Sequence, residues 1–405
     1  MPLDPPVPSS GRFTSLTEAI TGTVDEHEAE LVELRRDVHA HPELSWAEER
    51  TTELVQRRLE KAGWRITPMP GTGLLADLGD RGTRVALRAD LDALPVPDET
   101  DDPWRSTVPG VAHGCGHDVH VAALVGAGLA LARAEEAHGL GGRVRLIFQP
   151  AEEVVPGGAI RMMSAGAVDD AERIFALHCD PSIDAGQVGL RLGPLTSAAD
   201  LLEVRLEGSG GHTSRPHLTG DLTYALAKVV TELPAVVSRR MDPRAGVSVV
   251  WGKIHAGSAF NVIPGTGVAS GTVRILDAVA WSEAEDVVRE VIQDLVRPYG
   301  VTAHIDYERG VPPVVNEPVA HRILHQAVLS ILGERGHVVA PQSLGGEDFG
   351  WYLDQIPGAM FRLGIRTPGG PTYDLHQGDL RVDERAVAVG AKVLAGAAVG
   401  ALALR

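Results

Sequence analysis

Apolar and polar positions along this chain change their period several times, and each change marks a predicted element. Between 25 and 40 apolar residues recur at Leu31, Leu34 and Val38, the spacing of one buried helix face, and Pro42 ends the run. A second helix is predicted over 47–62, stopping at Gly63. Short alternating runs predict strands at 74–78 and 85–89, followed by a helix over 117–136 and further strands at 143–148 and 173–177. Residues 1–15, rich in Pro and Ser, read as a loose lead-in.

Around Ala198 the pattern changes. Strand runs at 200–207, 246–255, 265–276 and 301–308 alternate with helical runs at 221–237 and 282–299. That order, βαββαβ, is the ferredoxin-like arrangement. It predicts an inserted domain over 198–310, which divides an α/β domain into 1–197 and 311–405. After 310 helix and strand alternate again, with a strand at 359–363 and a last helix that Asp383 can cap. The run from Val393 to Leu404 is apolar but short for a bilayer, and Lys392 interrupts its extension, so it reads as a small-residue helix of the core.

Composition narrows the function. Of 405 residues, 44% are hydrophobic, as in an ordinary globular protein, and only 4% are aromatic, so Ala, Val, Leu and Gly must fill the core. Lys and Arg number 37 against 54 Asp and Glu, a net charge of −17 that argues against nucleic acid and anionic membranes as partners. Two cysteines, Cys115 and Cys179, imply no disulfide framework and fit a reducing compartment. The first residues lack the basic and apolar regions of a signal peptide, so a cytoplasmic location is the default expectation.

The chemistry gathers in one stretch, His113-Gly114-Cys115-Gly116-His117-Asp118-Val119-His120. Thiolate, imidazole and carboxylate are donors for zinc and other first-row metals; a Gly turn carrying a buried Cys and surface imidazoles is the plain alternative. Three later segments add donors of the same kind. Glu152 and Glu153 follow the strand ending at Phe148, His178 follows the strand ending at Leu177, and His376 precedes the last helix. Sites in open α/β sheets are built at the carboxyl ends of strands.

Should Cys115, His117, Glu153, His178 and His376 converge, five donors exceed the need of one catalytic zinc. They suit a pair of ions with Cys115 bridging. Glu152 is then the carboxylate left over to act as general base, and Asp92 the group that fixes a ligand imidazole. The helix beginning at His117 favours a thiolate at Cys115. Thiolate leans towards zinc, while carboxylate and imidazole leave manganese and cobalt open. A different enzyme would use Cys115 as a nucleophile, and a metal-dependent carrier would bind without turnover. Arg274, alone among basic residues in its strand, suits either a substrate carboxylate or a surface ion pair.

These segments resemble the metallo-amidohydrolases that include aminoacylases, hippurate hydrolases and indole-acetyl-amino-acid hydrolases. The matching pieces run in order from His41-Pro42-Glu43-Leu44 through Arg88-Ala89-Asp90-Leu91-Asp92-Ala93-Leu94-Pro95 and His113-Gly114-Cys115-Gly116-His117-Asp118. They continue with Gln149-Pro150-Ala151-Glu152-Glu153, Gly211-His212-Thr213-Ser214, Asn261-Val262-Ile263-Pro264 and Gly345-Gly346-Glu347-Asp348-Phe349. The resemblance implies a di-metal aminopeptidase-like catalytic domain with an inserted lid/dimerisation domain. It implies two Mn or Zn ions, with Co or Ni also suited, on Cys115, His117, Glu153, His178 and His376, and Glu152 as general base. It carries His212 and Asn261 over as the groups that hold the scissile carbonyl, often across a dimer, and so implies a homodimer joined through the lid. Gly346 joins His212, Asn261 and Arg274 among the substrate-binding candidates. The implied substrate is a small N-acyl amino acid; a dipeptidase, a carboxypeptidase or a deacetylase of one acetylated metabolite is the nearest alternative.

Overall fold

The computed structural model describes residues 11–404. The chain divides into two compact units, one of Met1–Leu195, Asn316–Pro341 and Trp351–Arg405, the other of Thr196–Val315 with Gln342–Gly350. The second unit therefore starts and stops close to the expected 198–310, and it also takes a nine-residue piece from far downstream.

The first unit is built on an eight-stranded sheet. In spatial order its strands are Arg65–Pro68, Leu74–Leu78, Arg143–Gln149, Arg84–Asp90, Ala171–Asp184, Gly358–Arg366, Val188–Leu190 and His337–Val339. The four in the middle run parallel, and their sequences are near-continuous apolar runs, as strands covered on both faces require. Register places Asp90 opposite Gln149 and Arg88 opposite Ala176. Asp90, Gln149 and His178 therefore sit in one row at the carboxyl edge of the sheet. The strand that carries His178 runs seven residues further than expected, to Asp184, so His178 lies inside it. The polar run His178-Cys179-Asp180-Pro181-Ser182 hid that continuation from a reading of periodicity. Three short strands, 65–68, 188–190 and 337–339, were not foreseen because runs of three or four residues carry no period.

Three helices pack on one another beside this sheet: Gly11–Ala40, His117–His138 and Arg385–Ala403. The first begins at Gly11, fourteen residues ahead of the expectation (25 against 11). Phe13, Leu16, Ile20 and Val24 form its buried stripe. Residues 11–15, read as part of a loose lead-in, are therefore helical, and within the same helix Thr17 and Thr23 donate to the carbonyls of Phe13 and Ala19, 2.8 and 2.9 Å away. Helix His117–His138 is buried almost all round, and its small residues let its neighbours approach closely. A Cβ on Gly126 would stand 2.7 Å from Leu31 and 2.9 Å from Ala391, one neighbour on each flanking helix. The last helix has 19 residues, long and apolar enough by composition to cross a membrane, which corrects the expectation that it is too short. Of its most apolar window 78% is buried within the fold. Lys392 lies inside that helix and pairs with Asp25 at 2.5 Å rather than ending the run. The residue ahead of this helix is Glu384, whose side chain makes no cap, and not Asp383 as expected; Asp383, one position earlier, accepts from the Arg385 amide at 3.2 Å.

The second unit has the order strand Ala198–Glu207, helix Leu222–Arg240, strands Ser248–Ala256 and Thr266–Ile275, helix Ala278–Val296, strand Thr302–Val311. Its four strands form one antiparallel sheet in the order 248–256, 266–275, 198–207, 302–311. Strand Ala198–Glu207 alternates buried and open positions along its length, the mark of a sheet with one face on a core. Asp221 and Asp277 cap the two helices, accepting from the amides of Tyr224 and Ala280. Asp200, buried at the start of the first strand, accepts from Trp281 Nε1, the Tyr307 hydroxyl and the Gly310 amide, and so ties helix and outer strand together.

Gly126→Val, which adds three carbons between helices already in contact, lowers stability by about 1–3 kcal/mol. Gly22→Ala, on an exposed face of the first helix with nothing near its Cβ, raises it by about 0.5–1 kcal/mol. Thermal midpoints that move in these opposite directions test the packing account; a Gly126→Val variant as stable as the unaltered protein contradicts it.

Candidate metal centre

The parallel strands deliver acids and imidazoles to one edge, and a closed network fixes them from below. Arg88 and Asp90 are fully buried in strand Arg84–Asp90. Arg88 Nη1 lies 2.5 Å from Asp90 Oδ2 and its Nε donates to Gln149 Oε1 at 3.0 Å. Asp90 Oδ1 accepts from His120 Nδ1 at 2.5 Å, and His120 Nε2 accepts from the Cys179 amide at 2.9 Å. Burial alone would raise the Asp90 carboxyl, but His117, His120 and Arg88 outweigh it and hold it well below the usual range. Both nitrogens of His120 and both oxygens of Asp90 are thus committed. Asp90, His117 and His120 lie close enough to hold an ion, yet both nitrogens of His120 are already engaged.

Above this layer the chain turns sharply. Ala151 adopts φ +55°, a left-handed conformation rare for a residue with a Cβ. The turn is held by two carboxylates. Glu48 Oε1 accepts from the Ala151 and Trp46 amides, 2.8 and 3.0 Å away, while its Oε2 takes the Thr72 hydroxyl at 2.6 Å. Asp92 accepts from the next two amides, Glu152 to Oδ1 at 3.0 Å and Glu153 to Oδ2 at 2.9 Å, together with the Ser45 hydroxyl at 2.7 Å. The consecutive acids, which a strand would send to opposite faces, both approach one imidazole: His117 Nε2 is 3.9 Å from Glu152 and 3.7 Å from Glu153.

The remaining donors close around the same point. His117 Nδ1 is 2.9 Å from the backbone oxygen of Asp92 and 3.5 Å from its carboxylate, so the carbonyl is the group that orients the ring. His178 Nδ1 lies 2.7 Å from the Cys179 oxygen, and its Nε2 is 3.6 Å from Cys115 Sγ. In both rings Nδ1 faces a carbonyl and must carry the proton, which leaves Nε2 as the donor. His376 is held at φ +63°, its amide bonded to the Gly114 oxygen at 2.7 Å, and its Nε2 lies 3.5 Å from Glu153 Oε2. The donor atoms of Cys115, His117 and His178 lie within 4.8 Å of one another, and those of Cys115, Glu153 and His376 do likewise. Cys115 belongs to both sets.

The electrostatics of this cluster ask for a cation. Burial, then Glu153, pushes the Cys115 thiol well above its ordinary value. This corrects the expectation of a thiolate set up by the helix end: Cys115 lies before Gly116, the residue ahead of the helix, and burial with Glu153 nearby outweighs the pull of His117. Burial also raises Glu153. His117 is held well above the imidazole range because, against burial, Asp90 and Cys115 attract its proton. His178 goes the other way, driven down by burial, Arg362 and its neighbouring imidazoles. Among the described residues His117 Nε2 and Glu153 Oε1 are buried without a hydrogen-bond partner. Buried donors left unpaired are costly. A soft thiol among imidazoles and a carboxylate is a fitting set for divalent transition metals, whose arrival releases those protons.

The sequence reading missed Glu48, which stands in the acidic run Glu48-Glu49 and looks like an ordinary helix start; nothing local shows that it is fully buried. It also left open the fate of the other imidazoles in the cluster. His113 is buried, with neither ring nitrogen hydrogen-bonded among the described residues, and burial pushes it down to about 3. Asp118 is buried against Arg35 Nε at 2.6 Å and His39 Nδ1 at 2.8 Å, a wholly structural tie to the first helix. Cys179 is buried in the core, as expected of a small hydrophobe.

Four candidates lie in the second unit. His212 is exposed on a short bridge to Val262, with Nδ1 accepting from the Ser214 amide at 3.1 Å. The Asn261 carbonyl accepts from the Thr213 amide at 3.3 Å, which places Asn261 beside it. Arg274 and Gly346 form a separate pair, for a Cβ on Gly346 would stand 3.7 Å from Arg274 Nη1 and 2.9 Å from the Ala199 Cβ. Arg274 is half-buried, which lowers its pKa, and it has no ion-pair partner among the described residues. The surface ion pair considered from sequence is therefore absent there.

This arrangement, donors for two ions beside one further carboxylate, is what an amide-cleaving metallohydrolase requires. Residues 86–399 match the sequence pattern of Peptidase family M20/M25/M40. The chain belongs to that family and is a hydrolase of amide bonds. It is 36% identical over 367 residues to the N-acetyl-L-cysteine deacetylase of Bacillus subtilis (strain 168), covering 89% of this chain and 85% of that protein. The solved structure of the Bacillus subtilis YXEP protein, described as a dinuclear metal binding peptidase from the M20 family, superimposes with a TM-score of 0.81. It has 31% identity and covers 94% of this chain and 99% of that one. A Rhodococcus jostii (strain RHA1) protein named as a candidate glutamate–cysteine ligase is 47% identical over 376 residues, 92% of this chain, which spans only 47% of that protein's length.

Asp92→Asn places an amide donor against one of two backbone donors, so the turn carrying Glu152 and Glu153 must shift. Metal affinity, measured by titration, falls about 10–100-fold and hydrolysis falls with it. Unchanged metal content and turnover would contradict the role given to Asp92.

Proposed function

We propose that the protein hydrolyses the amide bond of a small N-acyl amino acid with two divalent ions, manganese or zinc, with cobalt or nickel also suited. The observation that carries the reading is the shared sulfur: Cys115 belongs to two donor sets, His117 with His178 and Glu153 with His376, and Glu152 stands beside both. When bound, such ions supply Lewis acidity, polarising the scissile carbonyl and acidifying water.

The residues do the rest. Glu152 takes a proton from the attacking water as its oxygen bonds to the carbonyl carbon. It then gives that proton to the nitrogen as the C–N bond breaks, so a carboxylic acid and a free amino acid leave and Glu152 returns to its starting state. Asp92 keeps Glu152 and Glu153 in register through their amides. His212 and Asn261 polarise and hold the carbonyl, and the Arg274 guanidinium, near Gly346, takes the substrate carboxylate. The βαββαβ unit is then a ferredoxin-like lid and dimerisation domain, and the active form a homodimer that acts on a small molecule rather than on nucleic acid or a membrane. Its two cysteines are both free thiols, which suits the cytoplasm.

A cysteine hydrolase is disfavoured by the raised thiol of Cys115, because the thiolate is the nucleophile. Deacetylation of a small N-acetyl amino acid is the narrower form of the same reading, and the named activity of the Bacillus subtilis relative favours it.

Glu152→Gln keeps its metal and loses about 10²–10⁴-fold in kcat, as measured by metal analysis beside turnover on N-acetyl, N-benzoyl and indole-acetyl amino acids. Turnover near that of the unaltered protein would end the general-base assignment. Arg274→Ala acts on binding: KM rises about 10–100-fold, the worth of a charged hydrogen bond, while substrates lacking the carboxylate are unaffected. Equal losses on both kinds of substrate would remove Arg274 from that role.

A further inference from the structure

Away from the sheet edge just described, three imidazoles meet on the first unit. His321 and His325 stand four residues apart on helix Pro318–Leu332, and therefore on one face of it. His337 opens the strand His337–Val339 at the border of the sheet. The His321 and His325 rings are stacked, 12° apart in plane, with centroids 6.4 Å apart. The His325 and His337 rings meet at 70° with centroids 4.8 Å apart. All three are partly open to solvent, and none of their ring nitrogens has a hydrogen-bond partner among the described residues.

We propose that His321, His325 and His337 form a further binding site for one divalent transition-metal ion of the class that prefers imidazole: copper, nickel or zinc. Two imidazoles sharing a tetrahedral ion at a metal–nitrogen distance of about 2.0–2.1 Å have ring centroids roughly 5–6 Å apart. The observed 6.4 and 4.8 Å bracket that spacing. As the rings stand, the nitrogens of all three do not lie within 4.8 Å of one another, so an ion would be held only after the side chains turn towards it. Two histidines at i and i+4 are a familiar chelating pair on a helix, and the third closes the set from another element.

The charge environment agrees. Burial, then His325, His337 and Arg322, pushes His321 down to about 4. Burial and His325 lower His337, with Glu334 pulling the other way. Near neutral pH these two rings are free bases with lone pairs to offer. An ion bound there would link the outer strand to the helix beside it and stabilise the native state by mass action. The site uses no residue of the catalytic cluster.

The test uses the full protein with its catalytic centre loaded with Mn²⁺. Copper(II) is titrated calorimetrically while electron paramagnetic resonance follows both the copper and any released Mn²⁺. The expected result is one equivalent of copper beyond whatever replaces released Mn²⁺, with coupling to several nitrogens. That equivalent disappears in His325→Ala and in His337→Asn, and both variants hydrolyse substrate as the unaltered protein does, which shows that they fold. Copper binding that survives both substitutions, or copper that enters only as Mn²⁺ leaves, overturns the proposal.

Discussion

The carboxylate of Asp92 is the constraint on which the site depends. One buried side chain receives two consecutive backbone amides and a hydroxyl, and its own main-chain oxygen orients His117. In a low-dielectric interior such charge-assisted bonds are strong and mutually reinforcing. They turn the stretch after strand Arg143–Gln149 so that two neighbouring acids face the same imidazole. Glu48 does the equivalent for the preceding residue, where Ala151 is held in a left-handed conformation. Two acids that never touch the reacting atoms thus decide where two others stand.

Beneath this turn lies a layer whose purpose is to be complete. Arg88, Asp90, Gln149 and His120 satisfy one another, while above them His117 Nε2 and Glu153 Oε1 are buried with no hydrogen-bond partner among the described residues. His117 and His178 each face a carbonyl with Nδ1 and expose Nε2, so tautomer and direction are set by groups behind the rings.

Much of this was legible in the sequence, and the reason is topological. Parallel strands end at one edge, so polar residues that follow apolar runs, such as Glu152, Glu153 and His178, gather without any knowledge of the fold. The βαββαβ order of the middle region could likewise be read from period alone. What could not be read were partners. His113, His120 and His117 are alike in sequence, yet the first is buried without partners, the second is fully committed and the third keeps a free nitrogen. Glu48 and Glu49 are adjacent acids, and only burial tells them apart. The early start of the first helix was hidden by the Pro- and Ser-rich composition of the stretch before it, and the piece at 342–350 joins the second unit by contacts that no local pattern announces.

The path of the chain bears on how the protein comes into being on a ribosome. Helix Arg385–Ala403 packs against helices Gly11–Ala40 and His117–His138, so the first unit lacks a central part of its core until that late helix has been made. At about 5–20 residues per second, the nascent chain must hold the apolar faces of the two earlier helices for tens of seconds before that core can close, whereas the four strands and two helices of the second unit are all made by Val311. For the first unit the order of synthesis and the order of assembly are decoupled.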